Sequence, residues 1–342
     1  MNIVFAHFNS PIPKHLKLNL ERTSNLFSEN KVFLITDLEL HKKTIKNVSI
    51  YRYKPTEKWK LLDNNLKHSK DFRDNFWFTT SARFLALADF AFHTQTEFLH
   101  VESDVILATD FPFTKFSTID SDFMFPIVSD TNGIASCLYV KDLKSANYLA
   151  ELTLTQSKKN SLTTDMYILS ELSRDSSINF SPLPTAPSIY YPKFSSKRNF
   201  LHMSDTYLEH FGGVFDGADL GRYLFGDDPR NGRGISILRE NDARTYLNVR
   251  NLDLVVKPER NFPYIYNSSK DTYYPIYSLH IHSKNLDLFK IEKSRDLIFY
   301  YVSKSKERPI KIFVFSIFLQ SLINALKRRL FLMAKNIFSL FK

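Results

Sequence analysis

The chain has 342 residues, and 43% of them are hydrophobic, which suits a packed core and argues against bulk disorder. Phe (31) and Tyr (17) are abundant and Gly (8) is scarce. Neither GxxxxGK(S/T) nor GxGxxG occurs, which excludes the glycine-rich phosphate loops, and the single Cys137 excludes an internal disulfide framework and a cysteine-based zinc site.

In chain order, the first half alternates strand and helix signals. "NIVFAHF" reads as a strand, with no basic segment, apolar run and small-residue cleavage site that would mark a leader, so the expected setting is cytoplasmic. A short helix follows over Lys14 to Phe27. "KVFLITD" is a second strand closing on Asp37, and "VSIYRY" is a third. "FWFTTSARFLALADFAFH" reads as a helix with Thr79 or Thr80 near its N-cap. "TEFLHVESDV" is a fourth strand with Glu102 and Asp104 at its C-terminal end, and "DFMFPIV" and "GIASCLYV" follow as strands. Cys137, inside the last of these, reads as a packed thiol. Such alternation predicts an α/β fold with a mostly parallel central sheet and flanking helices. In sheets of this kind ligands bind beyond the carboxyl ends of the strands, where Asp37, Glu102 and Asp104 all fall.

The second half is less regular. "TTDMYILSEL" reads as a helix opened by Thr163 or Thr164, with Asp165 in its first turn, and "SPLPTAPSIYYP" is a Pro-rich loop. "FGGVFDGADLGRYLFGDDPRNGRG" gathers every glycine of the chain except Gly133, together with several carboxylates. "YSLHIHSKNL" alternates as a strand carrying His280, His282 and Lys284 on one face. Residues 303–309 read as a polar linker, which divides the chain into a catalytic domain over 1–302 and a tail over 310–342.

The net charge of +10 is unevenly placed. Residues 308–342 hold Arg308, Lys311, Lys327, Arg328, Arg329, Lys335 and Lys342 and no acid, leaving +3 elsewhere (10 − 7 = 3). Nucleic-acid binding by the main body is therefore not implied. In the tail, Leu319, Leu322, Ile323, Leu326, Leu330, Met333, Ile337 and Phe341 fall on one side of a helix. Gln320, Asn324, Lys327, Arg328, Lys335 and Lys342 fall on the other. This basic amphipathic pattern predicts a helix lying on an anionic membrane surface; the alternative is a helix packed on the protein's own core.

The chemistry concentrates in two motifs. In a strand, Glu102 and Asp104 would lie side by side, and two neighbouring carboxylates are costly to bury without a positive partner. A divalent Mg²⁺ or Mn²⁺ meets that need and would stabilise a departing diphosphate; the alternative is a solvated strand end. In "LHIHSK", one imidazole can supply a further metal ligand and Lys284 can neutralise phosphate charge.

At this point the sequence resembles the GT-A class of nucleotide-sugar glycosyltransferases, whose metal motif, usually D-x-D, closes a strand of a nucleotide-binding α/β half. Here Glu102 stands at the first position and Asp104 at the last. The stretch "FDGADLGRYLFGDDPRN" is similar to segments of bacterial glycosyltransferases that build cell-surface polysaccharide. The resemblance covers roughly residues 1 to 290 and implies Asp104, Glu102 and His282 as metal ligands, with His280 facing the core or supporting the loop. It implies Asp37, Arg83, Glu102 and Lys284 as contacts to a nucleotide-sugar donor, a UDP-sugar first; for Arg83 a surface ion pair with Asp89 is the alternative. It implies Asp165 as a contact to the sugar or to an acceptor that would be a glycan or lipid-linked glycan such as lipopolysaccharide, O-antigen or capsule. From their own chemistry Asp216 and Asp219 can bind sugar hydroxyls, Asp216 and Asp165 are the candidates for acceptor contact or base, and Arg230 can hold an anionic group of the acceptor; the alternative for this stretch is an ordered loop-helix connection. A nucleotidyl- or phosphotransferase with the same metal, and a membrane-bound scaffold without activity, are the competing expectations.

Overall fold

The computed structural model describes residues 1–39, 45–191, 200–225, 228, 245–257, 259–260, 262–284 and 286. The predicted linker 303–309, the predicted membrane helix 310–342 and Arg230 lie outside the described residues. Among the described residues no helix is long and apolar enough to cross a membrane.

The strands are β1 (Asn2–His7), β2 (Val32–Thr36), β3 (Val48–Arg52), β4 (Phe98–Val101), β5 (Val105–Leu107), β6 (Phe123–Phe125), β7 (Ile127–Ser129), β8 (Asn132–Gly133), β9 (Cys137–Val140), β10 (Phe180–Pro182), β11 (Val214–Phe215), β12 (Leu254–Val255), β13 (Tyr264–Asn267) and β14 (Thr272–His280). The helices are α1 (Lys14–Leu26), α2 (Glu57–Asn65), α3 (Phe76–Thr94), α4 (Phe113–Phe116), α5 (Leu143–Lys159), α6 (Asp165–Leu172), α7 (Phe200–Phe211) and α8 (Asp219–Phe225).

A seven-stranded sheet runs β10-β6-β9-β4-β1-β2-β3. It is parallel at every pairing except the two made by β9, which runs antiparallel to β4 and β6. The expected mostly parallel α/β sheet is thus present. Both faces are covered. On β1, Val4 joins the core under α3 and α5, while Ile3 and Phe5 join the opposite core with Leu16 and Leu20 of α1. Strands buried on both faces read as continuous apolar runs, as β1, β2 and β4 do.

Helix α3 is apolar nearly all round because it is enclosed: Phe78, Phe84, Leu85, Leu87 and Phe90 are all buried. Its N-cap is Asn75, in the left-handed conformation, and not Thr79 or Thr80. Thr79 instead bonds back to the Phe76 carbonyl. Helix α6 starts where the sequence predicts, with the Thr164 hydroxyl accepting the Tyr167 N–H (3.3 Å). A second sheet, β11-β14-β13-β12, also pairs with β5 and packs on α8. That β5–β14 pairing decides the position of the candidate site.

Candidate functional site

Glu102 and Asp104 do not sit in a strand. β4 stops at Val101 and the chain turns, with the Val105 N–H donating to the Glu102 carbonyl (3.0 Å). Helix α1 braces this turn: Asn19 Nδ2 donates to the carbonyls of Ser103 (3.2 Å) and Val105 (2.7 Å). Beyond the turn, β5 leaves the first sheet and runs antiparallel to β14 with Val105 opposite His280. One step further the Ile281 N–H donates to the Asp104 carbonyl (2.8 Å). The ladder between two distant segments therefore sets the carboxylate beside the imidazole.

β14 ends at His280, so the predicted strand through Lys284 is corrected. The His282 N–H donates to the His280 carbonyl (3.0 Å) and the Lys284 N–H to the Ile281 carbonyl (2.9 Å). Lys284 takes φ of +59°, a left-handed conformation costly for a side chain with a Cβ. The tight turn still stacks the rings of His280 and His282, with centroids 4.1 Å apart, and carries Lys284 back so that its ammonium meets the Asp104 carboxylate.

Asp104, His280 and His282 each offer a ligand atom, and these atoms lie within 4.8 Å of one another. The His282 Nε2 is buried with no hydrogen-bond partner among the described residues. The His280 Nδ1–H donates to the Gly217 carbonyl (2.9 Å), which leaves Nε2 facing Asp104 (3.3 Å) and Glu102 (3.5 Å). One carboxylate and two imidazoles, one of them with an orphaned buried nitrogen, fit a divalent cation. The two imidazole donors are a poorer match for Mg²⁺, which prefers oxygen, than for a transition metal.

His280 is therefore brought into the candidate ligand set, where the sequence favoured Glu102. Glu102 is instead engaged by Arg83, whose Nη1 donates to Oε1 at 2.6 Å. The other arm of the same guanidinium holds Asp165 at the start of α6. Arg83 is buried, and Asp89 is not its partner; Asp89 accepts from the Tyr51 hydroxyl (2.7 Å).

The charges explain the protonation pattern. Burial alone would raise the Asp104 carboxyl, but Lys284 and His280 outweigh it and hold it well below the usual range. Burial lowers His280, yet the carboxylates of Asp104 and Glu102 carry it up to about 9. His282 is held well below the ordinary histidine value by burial and by the positive His280. Glu102 is lowered because Arg83 and His280 overcome its burial. Asp165 is raised, burial prevailing over Arg83.

The remaining predicted residues divide. Asp37 lies half-buried past the end of β2, and its carboxylate accepts the Asn9 N–H at 3.2 Å. Asp219 opens α8. Asp216 does not present a free carboxylate: it is buried and accepts main-chain N–H groups from Leu220, Gly221 and His280. Asp165 likewise spends its carboxylate on Arg83. Both carboxylates proposed as base or acceptor contact thus already have partners within the protein.

No known protein family matches the sequence, and no curated protein matches it. Among solved structures, the chain is similar to the galactosyltransferase LgtC in complex with donor and acceptor sugar analogs, at 14% identity and a TM-score of 0.35, over 54% of this chain and 73% of that one. It is similar to the glycosyltransferase GlyE of Streptococcus pneumoniae TIGR4, at 14% identity and a TM-score of 0.37, over 94% of this chain and 63% of that one. A cytidylyltransferase from Leptospira borgpetersenii is also similar, at 14% identity and a TM-score of 0.31, over 54% of this chain and 75% of that one. These are distant likenesses, and the roles of residues in this chain rest on its own geometry.

Proposed function

We propose that this chain is a metal-dependent glycosyltransferase, which moves a sugar from a nucleotide-diphosphate donor to a cell-surface glycan. The observation that carries the reading is the cluster of buried Asp104 and His280 with half-buried His282, flanked by Lys284 and Arg83. In this proposal Asp104, His280 and His282 hold Mn²⁺. Bound there, the ion supplies positive charge against the leaving diphosphate. Glu102 stays with Arg83 and adds negative charge beside the cluster.

With a cation held at Asp104, Lys284 would be released from that carboxylate, and its ammonium would supply a point charge for a phosphate oxygen. Arg83, clamped between Glu102 and Asp165, is fixed in orientation before any ligand enters, so little ordering cost falls on binding. Asp37, at the same strand-end edge of the sheet, is proposed for the nucleoside, with a UDP-sugar as the first donor to try. Asp219 and Arg230 are proposed to contact the glycan or lipid-linked glycan acceptor. The acid-free basic pattern of residues 310–342 supports residence at the inner membrane face.

The test is nucleotide release from UDP-, GDP- and CMP-sugars with Mn²⁺, in the wild type and in Asp104→Asn. Release of a nucleoside diphosphate that needs Mn²⁺ and is lost in Asp104→Asn is expected. Release of pyrophosphate from a nucleoside triphosphate would move the assignment to nucleotidyl transfer. A folded protein that binds neither donor nor metal would leave the scaffold reading.

A further inference from the structure

We propose that Asp216, together with Gly217 and Gly221, is the positioning device for His280, and that the spacing of "DGADLG" serves this one ligand. The inference rests on the metal reading above.

The two oxygens of the Asp216 carboxylate accept three main-chain donors. Oδ1 takes the Leu220 N–H (3.0 Å), and Oδ2 takes the Gly221 N–H (2.7 Å) and the His280 N–H (2.9 Å). Leu220 and Gly221 lie in the first turn of α8, whose N–H groups have no partner within the helix. One buried carboxylate therefore ties the start of α8 to the last residue of β14. A carboxylate as buried as that of Asp216 costs free energy unless it is hydrogen-bonded. Three N–H donors offset part of that cost, since bonds to an ionised acceptor are the strong kind, while burial still holds the carboxyl above its ordinary value.

The neighbouring glycines act on the same histidine. The Gly217 carbonyl accepts the His280 Nδ1–H (2.9 Å), which fixes the ring's rotation and leaves Nε2 for the cluster. Gly221 permits the close approach: a Cβ there would collide with the His280 carbonyl. The main chain of the histidine is set by Asp216, its ring by Gly217, and the room for both by Gly221.

Asp216 is itself held from both sides. Its N–H donates to the Ser278 hydroxyl (3.2 Å), and its carbonyl accepts the Ser136 hydroxyl (2.9 Å). The Ser136 carbonyl in turn accepts the Glu102 N–H (3.2 Å). The brace thus connects the histidine end of the site with the carboxylate turn.

The experiment measures Mn²⁺ affinity of the full chain by the free-Mn²⁺ EPR signal, with circular dichroism confirming the fold. Variants are Asp216→Asn, His280→Ala, the double variant and Asp104→Asn. In Asp216→Asn the amide replaces one accepting oxygen, and the dissociation constant should rise about ten- to a hundredfold, as for other groups that orient a ligand. In the His280→Ala background the same substitution should change affinity less than about twofold, because its target is gone. A merely structural role would weaken both backgrounds alike, and that result overturns the proposal. So does unchanged affinity in folded Asp216→Asn. Should that variant not fold, Ser136→Ala removes one hydroxyl from the brace; it should weaken Mn²⁺ binding about three- to fivefold, again only when His280 is present. Wild-type protein that binds no Mn²⁺ through Asp104 overturns the metal reading and this inference together. Binding through Asp104 that ignores Asp216 and Ser136 overturns this inference alone.

Discussion

Replacing Arg83 by Met removes the guanidinium shared by Glu102 and Asp165. Glu102 keeps His280 within 3.5 Å, so Asp165 bears most of the loss. Its carboxylate is buried and already pushed up by that burial. Without Arg83 it can remain ionised in an apolar site or take a proton, and it will take the cheaper course. From its ordinary value of 3.8, protonation costs about 1.36 kcal/mol per pH unit, hence about 4 kcal/mol at pH 7 and about 1.6 kcal/mol at pH 5. That ceiling agrees with the ~3–5 kcal/mol typical of breaking one side of a buried ion pair. The sign follows from linkage. The variant's native carboxyl binds its proton more tightly than the unfolded chain does, so stability is retained at low pH and lost as pH rises. Urea unfolding followed by the fluorescence of Trp59 and Trp77 should show a deficit against wild type that approaches but does not exceed about 4 kcal/mol at pH 7 and shrinks to under about 2 kcal/mol at pH 5. Arg83→Met combined with Asp165→Asn should recover most of it. A deficit below about 1 kcal/mol, or one equal at both pH values, would refute the reasoning.

Lys284→Met removes the ammonium that opposes a cation at Asp104, so Mn²⁺ should bind several-fold more tightly by calorimetry while binding of a nucleoside diphosphate weakens. Looser Mn²⁺ binding would show that the lysine supports the site instead. Mn²⁺ affinity should climb with pH up to about 9, by about tenfold per unit if His280 releases one proton on binding; a flat profile between pH 6.5 and 8.5 would exclude His280 as a ligand. His100, buried on β4 with one ring nitrogen bonded to the Val4 carbonyl (3.0 Å) and the other without a partner among the described residues, is lowered by burial to about 3. The unfolded chain therefore binds the extra proton, and acid should cost about 1.4 kcal/mol per pH unit between pH 6.5 and 4. His100→Gln should remove that slope in acid titrations of unfolding free energy.

The sheet was legible because β1, β2, β3 and β4 are short apolar runs separated by helical spacing, a pattern that burial on both faces enforces. The two motifs of the site were also visible, since paired acids and paired histidines are conspicuous in composition. Their conformation was not. "TEFLHVESDVIL" is apolar on both sides of the acids, and nothing in its periodicity marks the point where the chain leaves one sheet for another. In "HIHSK" the alternation imitates a strand, and the break comes from a left-handed lysine in place of the glycine that usually signals such a turn. The burial of Asp216 was not legible because a carboxylate among glycines resembles an exposed loop, while its partners are main-chain groups with no signature in sequence. Helix α5 has no counterpart in the sequence reading. Its buried face includes Ser145, Thr153, Gln156 and Ser157, which blur the apolar stripe.

The crossing of β5 onto β14 also sets a timetable. All strands of the larger sheet have been translated once residue 182 has been added, whereas Lys284 comes 102 residues later (284 − 182 = 102). At about 5–20 residues per second, the nascent chain would spend roughly 5–20 s with its acidic turn made and its histidines not yet synthesised. A ribosome-bound fragment stalled before β14 should then hold Mn²⁺ only weakly, through carboxylates alone, and gain its tight site when the last strand arrives.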